Sequence, residues 1–309
     1  MFLRHRFPPN GKVHGPMTTP HSRPPQRTIP ALVGGEWLNS RLGSQDLVVL
    51  DVRPPEAYAR GHVPGAVSEP FVVPACSWIE VRDGLLLEFP EQADLFATIG
   101  RLGIRSGTRV VVVSAPGPGL PAAYGLAGAT RVALTLIQAG VPDVAVLDGG
   151  HGGWARAGLP TTAVPATPVR VVHGGTARSD ILVTRGYVEQ RIGLVRILDN
   201  RDPDVYFGRA TEEFADQAGH IATARSLPTP WIWNDDHTYA PREVLAGMAA
   251  GVLAQPTDHE VIVYCGVGGY ASAWWFLLTQ LLGHPSVRFY DGGAQEWSRE
   301  NTLVPHRWD

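Results

Sequence analysis

The chain has 309 residues, room for two ordinary domains or one large one. Its formal charge of −3 gives no reason to expect nucleic acid or an acidic membrane surface as main partner, and no apolar run approaches the roughly 18 residues of a membrane span. Two distant cysteines form neither a disulfide framework nor a zinc site and suit a reducing cytosol, while the single lysine, Lys12, leaves no Schiff-base lysine and no P-loop.

Residues 1–30 contain seven prolines, no acidic group and no apolar core of signal-peptide length, and read as a disordered leader. An internal repeat organises the rest. The first copy, residues 31–160, opens with LVVLDVRPPEAYARGHVPGAV, which carries Asp51, Arg53, Tyr58, Gly61 and His62. A helical stretch, EQADLFATIGRLGI, leads to the apolar run TRVVVVS, ending at Ser114; an alanine-rich helical stretch follows, then VAVLDGGHGGW. Residues 161–180, TTAVPATPVRVVHGGTARSD, read as a linker.

The second copy, residues 181–309, repeats these landmarks in the same order. Asp199, Arg201, Tyr206, Gly219 and His220 recur in VRILDNRDPDVYFGRATEEFADQAGHIATARS, with an insertion between the tyrosine and the Gly-His pair. HEVIVYC ends at Cys265, and VRFYDGGAQEW closes the repeat. Short continuous apolar runs alternating with helical segments predict, in each copy, a parallel α/β sheet covered by helices on both faces. Asp51, Arg53, Asp199, Arg201, His62 and His220 occur in both copies, including the one without the cysteine loop, and are expected to be architectural.

Chemistry concentrates in VIVYCGVGGYASAWWFLL, a strand, a glycine loop and a helix. Gly266, Gly268 and Ala271 fit a dinucleotide fingerprint, with Asp291 as its acid, but 18 residues after Asp291 are too few to complete a dinucleotide fold. A cysteine phosphatase needs an arginine at the end of the loop, and that position is Ala271. Sulfur transfer needs only a thiolate and a cradle for a persulfide. Gly266, Gly268 and Gly269 are expected to take positive φ and turn their N–H groups toward the sulfur. With a helix starting near Ala271, this setting predicts a lowered thiol pKa for Cys265. Cys76 reads as a packed thiol and Trp274 and Trp275 as core.

These landmarks resemble the rhodanese family, specifically tandem-domain sulfurtransferases of the thiosulfate and 3-mercaptopyruvate type. The resemblance rests on the repeated Asp-x-Arg, Gly-His and Asp-Gly-Gly-x₃-Trp patterns and on the cysteine loop confined to the second copy. It implies two rhodanese-like domains, the second catalytic, with Ser114 in place of the first domain's cysteine and Cys265 at the interface between domains. Cys265 is then the nucleophile and persulfide carrier, and Gly266, Val267, Gly268, Gly269, Tyr270 and Ala271 form the persulfide cradle. Thiosulfate or 3-mercaptopyruvate would be the donor and a thiol or cyanide the acceptor, in a cytoplasmic enzyme with no metal or other cofactor.

The loop departs from both subfamilies. Thiosulfate enzymes carry basic residues after the cysteine, where this chain has Gly266 and Val267. Mercaptopyruvate enzymes read Cys-Gly-Ser-Gly-Val-Thr, and here Val267 replaces the serine and Tyr270 the threonine. The arginine clamp such enzymes place in the inserted segment is reduced to Arg209, with Val205 and Phe214 at the neighbouring positions. A non-catalytic sulfur carrier or regulatory module is the alternative.

Overall fold

The computed structural model describes residues 27–117, 119, 121–254 and 259–306, so most of the leader lies outside the described residues. In the first copy the strands are β1 (Leu32–Val33), β2 (Leu47–Asp51), β3 (Val67–Ser68), the hairpin β4 (Glu80–Arg82) and β5 (Leu85–Glu88), β6 (Arg109–Val113) and β7 (Val144–Leu147). Its helices are α1 (Gly35–Asn39), α2 (Pro55–Arg60), α3 (Gln92–Arg101), α4 (Ala122–Gln138) and α5 (Gly150–Arg156). In the second copy the strands are β8 (Leu182–Val183), β9 (Arg196–Asp199), β10 (Arg225–Ser226), β11 (Val261–Tyr264) and β12 (Val287–Tyr290). They alternate with α6 (Arg185–Glu189), α7 (Pro203–Tyr206), α8 (Arg242–Leu253), α9 (Gly269–Phe276) and α10 (Gly293–Glu300).

The first sheet runs β1-β7-β6-β2-β3 and the second β8-β12-β11-β9-β10, all parallel, so the repeat in sequence is a repeat in topology. Its apolar strands are buried on both faces, as continuous β-branched runs require. On β6, Val110 and Val112 face one core, while Val111 and Val113 face another with Leu38 of α1, Tyr58 of α2 and Trp154 of α5. On β11, Val261 and Val263 share the core of Val110 and Val112, whereas Ile262 and Tyr264 pack beside Val188 of α6 and Trp297 of α10. One face of each sheet therefore drains into a single core common to both copies. Helices α4 and α9 meet inside it, where Thr130 and Ser272 hydroxyls are hydrogen-bonded at 3.0 Å. Trp274 and Trp275 are buried in that core.

Contacts between the copies extend to the hairpin. Asp291, of the repeated Asp-Gly-Gly, accepts from Arg131 at 2.8 Å and from the Phe89 amide at 2.9 Å. Gln295 of α10 brackets the backbone of Leu86, donating to its carbonyl and accepting from its amide. Residues 161–180 contain no helix or strand and lie against the first copy: the Val171 amide donates to Gly100, and the His173 ring bonds the carbonyls of Ile104 and Ala139.

The shared Asp-x-Arg motif does the same work twice. Arg53 grips Asp51 with two nitrogens and donates to the Gly61 carbonyl; Arg201 grips Asp199 and donates to the Gly219 carbonyl. His62 stacks on Tyr58 and His220 on Tyr206, with ring centroids 3.7 and 4.0 Å apart. Each arginine thus ties a strand end to the Gly-His turn, the architectural role expected of them.

Candidate active site

Cys265 follows β11, a central strand, at its carboxyl end, the edge where open α/β sheets place ligands. The chain then turns through Gly266–Gly268 into α9, which starts at Gly269, two residues earlier than expected. The amides of Val267, Gly268 and Ala271 converge on the sulfur, that of Gly268 at 3.1 Å. Of the three loop glycines only Gly268 takes a left-handed φ, +85°. Gly266 is required for space instead: a Cβ there would strike the Phe214 ring and sit 2.7 and 2.8 Å from the Glu212 carboxylate oxygens. Gly269 is simply the first residue of the helix.

The sulfur opens onto a cavity of about 260 Å³ between the two copies. The second copy contributes Glu212, Phe214, Cys265, Gly266, Val267, Gly269 and Tyr270 to its wall, and the first contributes Phe71, Leu87, Ser114, Tyr124 and Gly128. Ser114 follows β6 as Cys265 follows β11. The parallel is close: the His151 amide donates to the Ser114 carbonyl at 2.9 Å, the Ala294 amide to that of Cys265 at 2.8 Å. Leu87 holds a left-handed φ of +60°, and the buried Arg131 guanidinium donates to its carbonyl. Tyr270 stacks on Tyr124 with ring centroids 4.7 Å apart.

Electrostatically the site departs from expectation. Cys265 is 3% exposed, and burial pushes its thiol up to about 11, with the Glu212 charge adding to the rise. The three amides pull the other way without prevailing, so the anticipated lowering does not occur in the sulfur-free state. Burial also raises the Glu212 carboxyl to about 7, against the opposing pull of Arg201, whose Nη1 lies 3.3 Å from it. Arg209 is exposed and does not line the cavity; its amide donates to Asp204. Phe214 forms wall and Val205 is a buried residue of α7, so no arginine clamp exists among the described residues. Cys76 lies in a turn, its amide donating to Ile79, and does not line the cavity.

Glu212, Tyr124 and Phe71 were not foreseen. The acid sits in the insertion, where only the presence of a segment unique to the active copy hinted at it. The two rings come from the other copy, beyond the reach of any local pattern.

The rhodanese-like domain model matches residues 35–157 and again 184–300. The chain belongs to the rhodanese family. A Mycobacterium leprae protein provisionally named thiosulfate sulfurtransferase SseA is 34% identical over 86% of this chain and 87% of its own. A Synechococcus elongatus protein, provisionally named a thiosulfate sulfurtransferase, is 31% identical over 93% of this chain and 88% of its own. The sulfur carrier protein TtuD of Thermus thermophilus is 29% identical over 86% of this chain and 93% of its own. Among solved structures, the anaerobic ergothioneine biosynthesis enzyme of Chlorobium limicola, in complex with trimethyl histidine, superposes with a TM-score of 0.74 at 25% identity, covering 89% of this chain and 71% of that one. Two rhodanese domains in one chain account for the doubled sheet.

Proposed function

We propose that this rhodanese is a sulfurtransferase that carries sulfur as a persulfide on Cys265. One observation carries the reading: the sulfur of Cys265 stands at the mouth of α9, ringed by the amides of Val267, Gly268 and Ala271, on the wall of a cavity large enough for a small organic molecule. Attack of Sγ on a sulfane sulfur forms the S–S bond and releases the remainder of the donor with its bonding pair. The Cys265 proton is lost, and the Glu212 carboxylate is the base lining the same cavity. The amides then face an anion, whose charge N–H donors stabilise far better than they do a neutral thiol. An acceptor thiol or cyanide takes the outer sulfur, and Cys265 is regenerated. The protein sulfur is itself the carrier, so the cycle requires no metal or organic cofactor.

Thiosulfate and 3-mercaptopyruvate are the donors that the relatives' names and the Cys-Gly-x-Gly loop suggest. A second reading, a carrier that is loaded by another protein, is favoured by the absence of an unpaired cation among the cavity's described residues and by the likeness to TtuD. Steady-state turnover separates them. Thiosulfate with cyanide, or 3-mercaptopyruvate with a thiol, should yield thiocyanate or hydrogen sulfide over many cycles, and Cys265→Ser should abolish it. A protein that accepts one sulfur at Cys265 yet turns over neither donor is the carrier instead.

A further inference from the structure

The cavity has an unusual charge balance for a site that handles sulfur anions. Among the described residues two charged side chains line it, Arg53 and Glu212. Arg53 is ion-paired: its Nε and Nη2 hold Asp51, Nη2 also donates to the Gly61 carbonyl, and it is 5% exposed, so its charge is balanced within the pair. Arg201, behind Glu212, is committed in the same way to Asp199 and the Gly219 carbonyl, leaving one longer contact of 3.3 Å for the Glu212 carboxylate. The rest of the wall is largely apolar or aromatic, with the rings of Phe71, Tyr124, Phe214 and Tyr270 around the opening to the sulfur.

Two phenols share the wall with Glu212. Tyr124 and Tyr270 face the sulfur from opposite copies, and both phenols resist ionisation. Desolvation is the main cause, although Tyr124 keeps 42% of its surface exposed; Glu212 and Asp202 also act on Tyr124, and Tyr124 and then Asp202 on Tyr270. The amide cradle satisfies one anion, the sulfur itself. Once the sulfur is a persulfide anion, a further anion in the cavity meets the Glu212 carboxylate and π-faces, both of which repel it, whereas a cation is attracted by both.

Building on the persulfide reading above, we infer that the cavity selects its sulfur acceptor by charge, favouring small cationic thiols over anionic ones, and that Glu212 is the specificity-determining group. In the transfer the acceptor sulfur attacks the outer sulfur of the Cys265 persulfide. A new S–S bond forms on the acceptor, the bond to Cys265 breaks with its electron pair on Sγ, and the acceptor's proton ends on that thiol. No oxidant or reductant enters.

Three two-carbon thiols of nearly equal length test this: 2-aminoethanethiol, 2-mercaptoethanol and 2-mercaptoethanesulfonate. The full-length protein is loaded with excess inorganic polysulfide, freed of it, and discharged by each thiol at about pH 8, where Glu212 is ionised; loss of about 32 Da is followed by intact mass. Each rate is divided by that of the same thiol with a free alkyl persulfide, which removes intrinsic nucleophilicity. We expect the ammonium thiol to exceed the sulfonate by about tenfold or more, the alcohol falling between, as one charge acting across a partly screened cavity implies. Glu212→Gln should shrink that ratio to about threefold, and added salt should compress it in the wild type, which needs no variant to fold. A sulfonate as fast as the ammonium thiol, or a ratio untouched by Glu212→Gln, overturns the charge selection while leaving the persulfide intact. Failure of polysulfide to add mass at Cys265 overturns the persulfide reading and this inference with it.

Discussion

Cys265 and Glu212 share a low-dielectric pocket, where burial makes each resist ionising and the Glu212 charge adds to the effect on Cys265. The sulfur-free thiol, held near 11, is protonated at neutral pH. Its alkylation by iodoacetamide should therefore climb about tenfold per pH unit from ~7 to ~10 without a plateau, because only the thiolate reacts. Glu212→Gln removes a like charge and should move the whole curve to lower pH. A plateau below about pH 8 in the wild type would show that the amides outweigh burial after all. The cysteine was legible in the sequence because strand, glycines and helix are local signals. Its protonation was not, since desolvation depends on Phe71, Tyr124 and Leu87 from a distant stretch of chain.

At the scale of elements, the loop between β11 and α9 depends on two glycines for different reasons. Gly268→Ala places a Cβ on a left-handed residue, a cost of about 1–2 kcal/mol measurable by chemical denaturation. Gly266→Ala instead drives a methyl group into Phe214 and the Glu212 carboxylate. It should cost about 1–3 kcal/mol as overpacking and, by displacing the cavity wall, slow sulfur loading as well. Equal loading by Gly266→Ala and wild type would deny Glu212 and Phe214 their place beside the sulfur. The central strands β2, β6, β7, β9, β11 and β12 were readable as apolar runs, being buried on both faces. The edge strands β1, β3, β8 and β10 have two residues each, too short to carry a period. The hairpin of β4 and β5, with Leu87 in its left-handed turn of backbone, answers to the partner copy rather than to its own pattern.

Across the whole molecule, one buried guanidinium joins the copies. Arg131 is fully buried, bonded to Asp291 and to the Leu87 carbonyl, with its charge 4.0 Å from the Phe89 ring centroid. Asp291→Ala strands that charge and should cost about 3–5 kcal/mol, read as a lowered midpoint in urea. The doubled landmarks showed two domains in the sequence, but this pairing could not be read there, because Asp291 is part of a motif present in both copies. Beside it, burial and the Asp291 charge push the Glu88 carboxyl up to about 8. In the unfolded chain that group releases its proton near pH ~4.3, so between about 4.3 and 8 the folded state holds more protons and loses stability as pH rises. Glu88→Gln lacks this loss. Its melting temperature relative to wild type should rise steadily from about pH 6 to 8 and then level off. A difference independent of pH would place Glu88 in water. At the junction of the copies, sulfur chemistry and the fold's stability thus rest on the same interface.

Exposure of the full-length protein to polysulfide, followed by peptide-mapped mass spectrometry under non-reducing conditions, tests the central claim most directly. The account predicts one added sulfur on the peptide containing Cys265, none on that containing Cys76, and none anywhere in Cys265→Ser. Sulfur found on Cys76, or a Cys265 that alkylates yet never gains the mass of a sulfur atom, would contradict it.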